Sequence, residues 1–431
     1  MLEIQSQKRP HKPPEKFAIV FHYARANIYS YHALIGALEI SPILQSLPIF
    51  LAKPKSFFKK INNLYQEGYT HLIIGFSCST FQIENIKQRL TKLQSHSKRK
   101  QMTIVMGGPH PSAKPIELLN AGADVIVIGE GEKTFPELLS AIIFNISFKE
   151  LKGIAYFDPV TNDYEVTPRN DFIDLNNYPP FAPKHELYSA IEIARGCPYG
   201  CTFCQTPELF GRIMRFRSPK EVIKWGKFLL SKRDSYDFRF VAPNAFGYYA
   251  KKASKPNIGK IEELLSGLYS LEARKRRRIY FGTFPSEVRP ESVTDETLQL
   301  IKKYCANDNL TMGAQSGSPK ILKLIRRGHT IDDVISAVEL ANSYDFLMNI
   351  DIIFGFPEET AKDQFQTLDF CKILINMGCK IHMHYLIPLP GTKYENAEPR
   401  EIHPDILEVL RQWSNDGTIF GSWQYQYQKV K

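Results

Sequence analysis

The sequence holds no uninterrupted apolar run near the ~18 residues a membrane span needs. The stretch from Met1 to Lys16 is charged and proline-rich and lacks the apolar core of a secretion signal. These absences predict a soluble, cytoplasmic protein with no membrane partner. Also missing is an evenly paired set of cysteines: of seven, Cys197, Cys201 and Cys204 crowd one loop while Cys78, Cys305, Cys371 and Cys379 are scattered. That is metal-site usage in a reducing compartment, not a disulfide framework. There is no internal repeat and no low-complexity tract. With 431 residues and 43% hydrophobic content, the chain can build more than one core. Its formal charge of +10 attracts anions without choosing among an anionic substrate, a nucleic acid and an acidic electron donor. The densest basic run, Arg274 to Arg278, is predicted to close a helix, where cations are favourable. No aromatic-interleaved nucleic-acid platform surrounds it.

What is present is alternation. From Lys16 to Phe144, strand-like runs near 17–23, 47–52, 71–78, 102–107 and 124–128 alternate with helical periodicity at 30–40, 56–67, 81–94, 113–121 and 133–144. This predicts a doubly wound parallel sheet of the α/β class over residues 16–146. Small residues gather where its strands end: Ser77, Ser79 and Thr80; Gly107, Gly108, Pro109 and His110; Gly129, Glu130 and Gly131. The carboxyl edge of such a sheet is where ligands bind. A hairpin and a proline-rich linker fill 147–185, and alternation then resumes over 186–395 with six βα units, an incomplete (β/α)6 barrel. Residues 396–431 read as a helix and an aromatic tail.

Cys197, Cys201 and Cys204 follow the first strand of the second domain, within Arg195-Gly196-Cys197-Pro198-Tyr199-Gly200-Cys201-Thr202-Phe203-Cys204. Three thiolates on one loop suit a [4Fe–4S] cube that is short of one ligand, so one iron stays open. Zinc competes, but a closed zinc site needs four ligands and no fourth Cys or His lies nearby in sequence.

This loop after the first strand of a partial barrel resembles the radical S-adenosylmethionine (SAM) superfamily, in which the open iron chelates SAM and the cluster cleaves it to a 5′-deoxyadenosyl radical. Downstream segments carry the same likeness: Gln315-Ser316-Gly317-Ser318 with Arg327, Ala242-Pro243-Asn244, Gly355-Phe356-Pro357-Glu358 and Pro388-Leu389-Pro390-Gly391. The resemblance implies SAM contacts at Phe203, Asn244, Gln315, Ser316 and Arg327. Gln315 and Ser316 would meet the ribose and Arg327 the carboxylate. Asn244 stands where many relatives carry a glutamate.

The glycine pattern of the first domain looks like the cobalamin-binding, flavodoxin-like domain of class B radical SAM enzymes. It implies corrin contacts at Ser77, Ser79, Thr80, Gly107, Gly108, Pro109, His110, Gly129, Glu130 and Gly131. The histidine signature that ligates cobalt in many cobalamin proteins is missing, and neither His22 nor His32 is assigned to the metal. The expected cofactors are therefore a [4Fe–4S] cluster, SAM and cobalamin.

The family reading implies methyl transfer to an unactivated carbon of a small-molecule substrate, with reduced flavodoxin or ferredoxin as electron donor and nucleic acid not expected. A cobalamin-assisted cyclase or rearranging enzyme shares both domains. A methylthiotransferase would carry three more N-terminal cysteines, where this chain has only Cys78. The sequence leaves open whether His382 and His384, which share one strand face, look into the barrel. Tyr248 and Tyr249 are further candidates near substrate.

Overall fold

The computed structural model describes residues 16–252, 255–271 and 275–430. The chain forms two compact units, one of residues up to 173 with 177–189, the other of 174–176 with 190 onward.

The first unit runs β1 (Phe17–His22), α1 (Ile28–Glu39), β2 (Ile49–Ala52), α2 (Phe57–Gln66), β3 (His71–Ser77), α3 (Ile83–Gln94) and β4 (Met102–Gly107). It continues with α4 (Pro109–Ala113), α5 (Pro115–Asn120), β5 (Val125–Val127), α6 (Gly131–Ile143) and the hairpin β6 (Ile154–Asp158) and β7 (Asp163–Val166). Five parallel strands stand in the order β2-β1-β3-β4-β5, the flavodoxin-like arrangement, whose switch point lies between β1 and β3. The strands read as apolar runs because both faces are covered. Ala18, Val20, Leu72 and Ile74 enter one core, and their neighbours Ile19, Phe21 and Ile73 enter the other. The hairpin does not stand apart: β6 pairs antiparallel with β5 and extends the sheet to seven strands.

In the second unit, β8 (Ile191–Glu192) and β9 (Ala194–Arg195) lead through the cysteine loop to α7 (Thr206–Phe210), β10 (Arg215–Phe216) and α8 (Pro219–Lys232). Then come β11 (Ser235–Phe238), β12 (Phe240–Val241), α9 (Ile258–Tyr269), β13 (Arg276–Ile279), α10 (Asp295–Tyr304), β14 (Asn309–Gln315), α11 (Pro319–Leu324) and α12 (Ile331–Ser343). The chain ends with β15 (Leu347–Phe354), α13 (Ala361–Asn376), β16 (Lys380–Tyr385), α14 (Pro404–Asn415), β17 (Ile419–Phe420) and α15 (Trp423–Val430). Parallel pairings β8-β12, β11-β13 and β14-β15-β16-β17, bridged by Val288 to Met312, make an open partial barrel. The Ser218 hydroxyl caps α8 ahead of Pro219, as that dipeptide predicts.

Two local expectations change. Arg276 to Arg278 do not close a helix; they form strand β13, where Arg278 pairs with Asp237 through two hydrogen bonds of 2.7 and 2.5 Å. Arg274 lies outside the described residues. The aromatic tail is ordered into β17 and α15, with Trp423 and Tyr427 buried.

Candidate active site

The cysteine loop leaves β9 through Gly196, whose φ of +88° suits glycine and where a side chain would collide with the Ile213 carbonyl. The loop is pinned by Cys197 N–H to the Gly211 carbonyl (3.0 Å) and Thr202 N–H to the Ile325 carbonyl (3.1 Å). Cys201 is buried, and Cys197 and Cys204 are half-buried. Burial and the neighbouring thiols push the Cys197 pKa up, while the Tyr199 N–H opposes them. Cys197 therefore senses the other two sulfurs. Three thiols on one loop suit the corners of a cluster better than one structural zinc, which is closed by four ligands.

Arg327 closes one side. Its Nη1 donates to Cys201 Sγ at 3.7 Å and its Nη2 to the Gly313 carbonyl at 2.7 Å. Behind it stands a group that sequence reasoning missed. Arg289 donates to Glu291 (2.6 Å) and to the Arg327 carbonyl, and it covers the Tyr199 ring at 3.4 Å; Tyr199 in turn donates to Glu291 at 2.9 Å. His329 is buried beside them, and burial together with the two arginines lowers its pKa to about 4, so it is neutral at pH 7. No spacing rule links these residues; packing of separate βα units brings them together.

Cys197, Tyr199, Phe216, Asn244, Gly247 and Lys251 line a cavity of 260 Å³. Asn244, buried at the end of β12, accepts from Ser292 at 3.2 Å. Gln315 ends β14 at a register shift with φ +77°, a strained conformation for a side-chain-bearing residue. Its amide and the Arg327 guanidinium both lie over Gly313, where a methyl would strike them. Ser316 behaves differently. It is 1% exposed, and its hydroxyl is shared between Thr367 and the Ser318 N–H, so it serves the turn and not a ribose. Phe203 packs edge-on against Phe356 at 5.7 Å and ties the loop to the core around Ile321 and Leu386. Tyr248 is fully buried and donates to the Arg217 carbonyl at 2.5 Å, which removes it from substrate; Tyr249 stacks on Phe216 at 4.5 Å.

In the first unit, the small residues divide into packing and open positions. Gly108, with φ +99°, lets the chain pass Cys78, whose carbonyl would be 2.9 Å from an added Cβ, and Gly131 accommodates Leu34. Gly129, with φ +79°, faces open space, and Gly107 meets the Val127 carbonyl only at 3.5 Å. Pro109 opens α4. Ser77 is buried with its N–H on the Tyr31 hydroxyl (2.9 Å), Ser79 and Gln82 form a capping box, and Glu130 accepts the Ile173 N–H at 2.9 Å. His110 is not a solvated loop residue: it is 4% exposed, with Nδ1 3.2 Å from Thr80 and Nε2 3.5 Å from Glu117. His22 packs between Phe57 and Phe76, and His32 bonds Tyr23 at 2.8 Å.

A flavodoxin-like sheet is thus followed in the same chain by a partial barrel whose first strands lead into a three-thiolate loop. Residues 191–371 match the radical SAM superfamily and residues 62–139 the B12 binding domain. The chain is therefore similar to the cobalamin-dependent radical SAM proteins over both segments, with the B12-binding match preceding the radical SAM match.

Among its relatives are an uncharacterized protein of Methanocaldococcus jannaschii (26% identity; 83% of this chain, 74% of that one) and a putative methylthiotransferase of the same organism (28%; 67% and 61%). A third is an uncharacterized methyltransferase of Pyrococcus horikoshii (25%; 67% and 61%). Similar folds occur in OxsB, a cobalamin-dependent SAM radical enzyme (TM-score 0.63, 19% identity, 83% of this chain and 52% of that one). They also occur in TsrM, a radical SAM methyltransferase from Kitasatospora setae (0.67, 16%, 88% and 73%). The chain thus spans about half of OxsB and 61% of two of the relatives.

The radical SAM domain implies a [4Fe–4S] cluster and SAM, and the B12 binding domain implies cobalamin. The residues fit: three convergent sulfurs suit the cluster, and the Arg327 Nε, buried with no partner, suits an anionic ligand. The open space at Gly129, on the ligand edge of the sheet, suits a bulky one. No helix among the described residues is long and apolar enough to cross a membrane.

Proposed function

We propose that the protein cleaves SAM reductively and, with cobalamin, transfers a methyl group to an unactivated carbon of a small-molecule substrate. When bound, the cluster supplies the electron that splits the sulfonium and cobalamin supplies a methyl carrier; the protein binds, orients and excludes water. Cys197, Cys201 and Cys204 would hold the cluster. Arg327 would take the SAM carboxylate with its free Nε edge, Asn244 the amino group and Gln315 the ribose, with Phe203 setting the loop against the barrel. Gly107 and Gly129 would border the corrin, with Ser79 and Thr80 near it. Ser77, Gly108, Pro109, His110, Glu130 and Gly131 would shape that edge from behind, being buried or used in packing.

The observation that carries the reading is the buried, unpartnered Nε of Arg327 beside Cys201. The TsrM fold favours methyl transfer, and the relatives' names raise methylthiotransfer as a second reading. Against the second stands Cys78, the one cysteine of the first unit, which is fully buried with its pKa pushed up to about 12 by desolvation. We also assign the chain to the cytoplasm, since three of its cysteines are placed for a cluster and the other four are unbridged, and take its reductant to be a small acidic carrier such as flavodoxin or ferredoxin.

Anaerobic reconstitution with iron, sulfide and cobalamin, followed by SAM, a reductant and candidate metabolites, tests the proposal. 5′-Deoxyadenosine formed together with S-adenosylhomocysteine is expected. Deoxyadenosine alone would favour a cyclase or rearranging enzyme, and neither product would overturn both.

A further inference from the structure

The polar side chains of β15 and β16 converge on a point that the SAM and cluster residues do not use. Parallel register places Gly313, Asp351 and His382 in one row across β14, β15 and β16, with Ile353 and His384 in another. Gly313 identifies the face, because a methyl there would meet the Gln315 amide and the Arg327 guanidinium. Asp351, His382 and His384 therefore stand on the side that carries the proposed SAM contacts. The intervening residues Ile350, Ile352, Ile381 and Met383 point the other way and are fully buried.

Asp351 Oδ1 lies 2.9 Å from His382 Nδ1, which lies 3.3 Å from His384 Nε2, and that nitrogen is 3.9 Å from the same carboxylate oxygen. One imidazole nitrogen thus has two neighbours and can satisfy only one. As an N–H donor to Asp351 it has no lone pair for His384; as an acceptor from His384 it sets a lone pair against a carboxylate. A cation at the centre removes the conflict, because all three atoms then act as lone-pair donors. Metal–ligand bonds of ~2.0–2.2 Å hold neighbouring ligands roughly 3–3.5 Å apart, close to the observed triangle. The ring of His382 is fixed for this by stacking on Phe420, at 4.6 Å and 8°.

We propose that Asp351, His382 and His384 form a second metal site, for a divalent first-row transition ion such as Zn²⁺ or Fe²⁺, inside the barrel. Two imidazoles and one carboxylate leave coordination positions open. Those positions take an oxygen donor of the substrate and hold it on the SAM side of the sheet. The substrate role rests on the function proposed above; the metal site does not.

Protein reconstituted with its cluster and cobalamin is dialysed anaerobically against Zn²⁺, then assayed for zinc and iron and studied by zinc X-ray absorption. One zinc per chain with only nitrogen and oxygen in its coordination shell is expected, with at least tenfold weaker retention in Asp351→Asn and His384→Gln at unchanged cluster iron. The unchanged iron shows that the variants are folded. Sulfur in the zinc shell, no retained zinc, or equal retention in the variants would overturn the site. No step needs SAM turnover, so failure of methyl transfer leaves this result standing, and failure of zinc binding leaves the methyl-transfer assay standing.

Discussion

The guanidinium of Arg327 donates to Cys201 Sγ at 3.7 Å and to the Gly313 carbonyl at 2.7 Å, which leaves its Nε buried and without a partner. Arg289 and burial press on its charge, so an anion placed here relieves both the unmet donor and the repulsion. Arg327→Lys keeps the charge but loses the planar fork. SAM binding by equilibrium dialysis should weaken roughly 10–100-fold, the cost of one charge-assisted hydrogen bond at ~1.5–3 kcal/mol, with cluster iron unchanged. Unaltered SAM affinity would remove Arg327 from the binding site.

The thiols divide by surroundings. Cys201 is 8% exposed but shares its loop with two other sulfurs, whereas Cys371 lies in the core, with its pKa raised to about 12 by burial alone. Alanine at Cys197, Cys201 or Cys204 should abolish cluster absorbance and deoxyadenosine formation together. Alanine at Cys371 should keep both and cost ~1 kcal/mol or more in stability from the lost packing. Iron analysis of the four variants decides, and full iron in any of the first three would refute the three-thiolate site.

Much of this was legible in the sequence for a physical reason. Parallel strands covered on both faces must be apolar throughout, so β1, β3 and β4 show as runs, and a cluster loop must bring thiolates close in sequence. The surroundings of the loop were not legible. Arg289, Glu291 and His329 meet Tyr199 only because separate βα units pack, and nothing in their spacing announces it. Ser316 and His110 looked like ligand contacts because a polar residue at a strand end reads alike whether it faces a ligand or closes a turn. The Arg276–Arg278 run looked like the end of a helix because its strand partner, with Asp237, lies some forty residues earlier.

Glu359 is 2% exposed; its Oε2 accepts the Gly355 N–H at 2.9 Å, its Oε1 has no partner, and burial pushes its pKa up to about 8. The folded value lies above the unfolded one, near 4.5. The group therefore costs nothing below pH 4.5, and stability declines as pH rises from there to 8, by an amount on the order of a few kcal/mol. Glu359→Gln keeps the acceptor without the charge. Its thermal midpoint should exceed that of the unmodified chain above pH 8 and converge with it near pH 4.5. Parallel curves at all pH values would mean that Glu359 is not a buried acid.

The glycines of the cobalamin-binding edge separate fold from ligand. Gly108 and Gly131 are crowded by Cys78 and Leu34, so a side chain at either has to displace protein atoms. At Gly129 nothing lies within 4 Å of an added Cβ, and only its φ of +79° is costly, at ~1–2 kcal/mol for a residue with a side chain. If that space receives the corrin, Gly129→Val should lower cobalamin retention during reconstitution far more than it lowers the melting temperature. Gly108→Ala, pressed against the Cys78 backbone at φ +99°, should lower the melting temperature first. Cobalamin absorbance per chain, read beside thermal denaturation of the same samples, separates the two. Equal cobalamin loading in Gly129→Val and the unmodified chain would show that the corrin lies elsewhere along the sheet, because a branched side chain at a vacant position obstructs only what enters it.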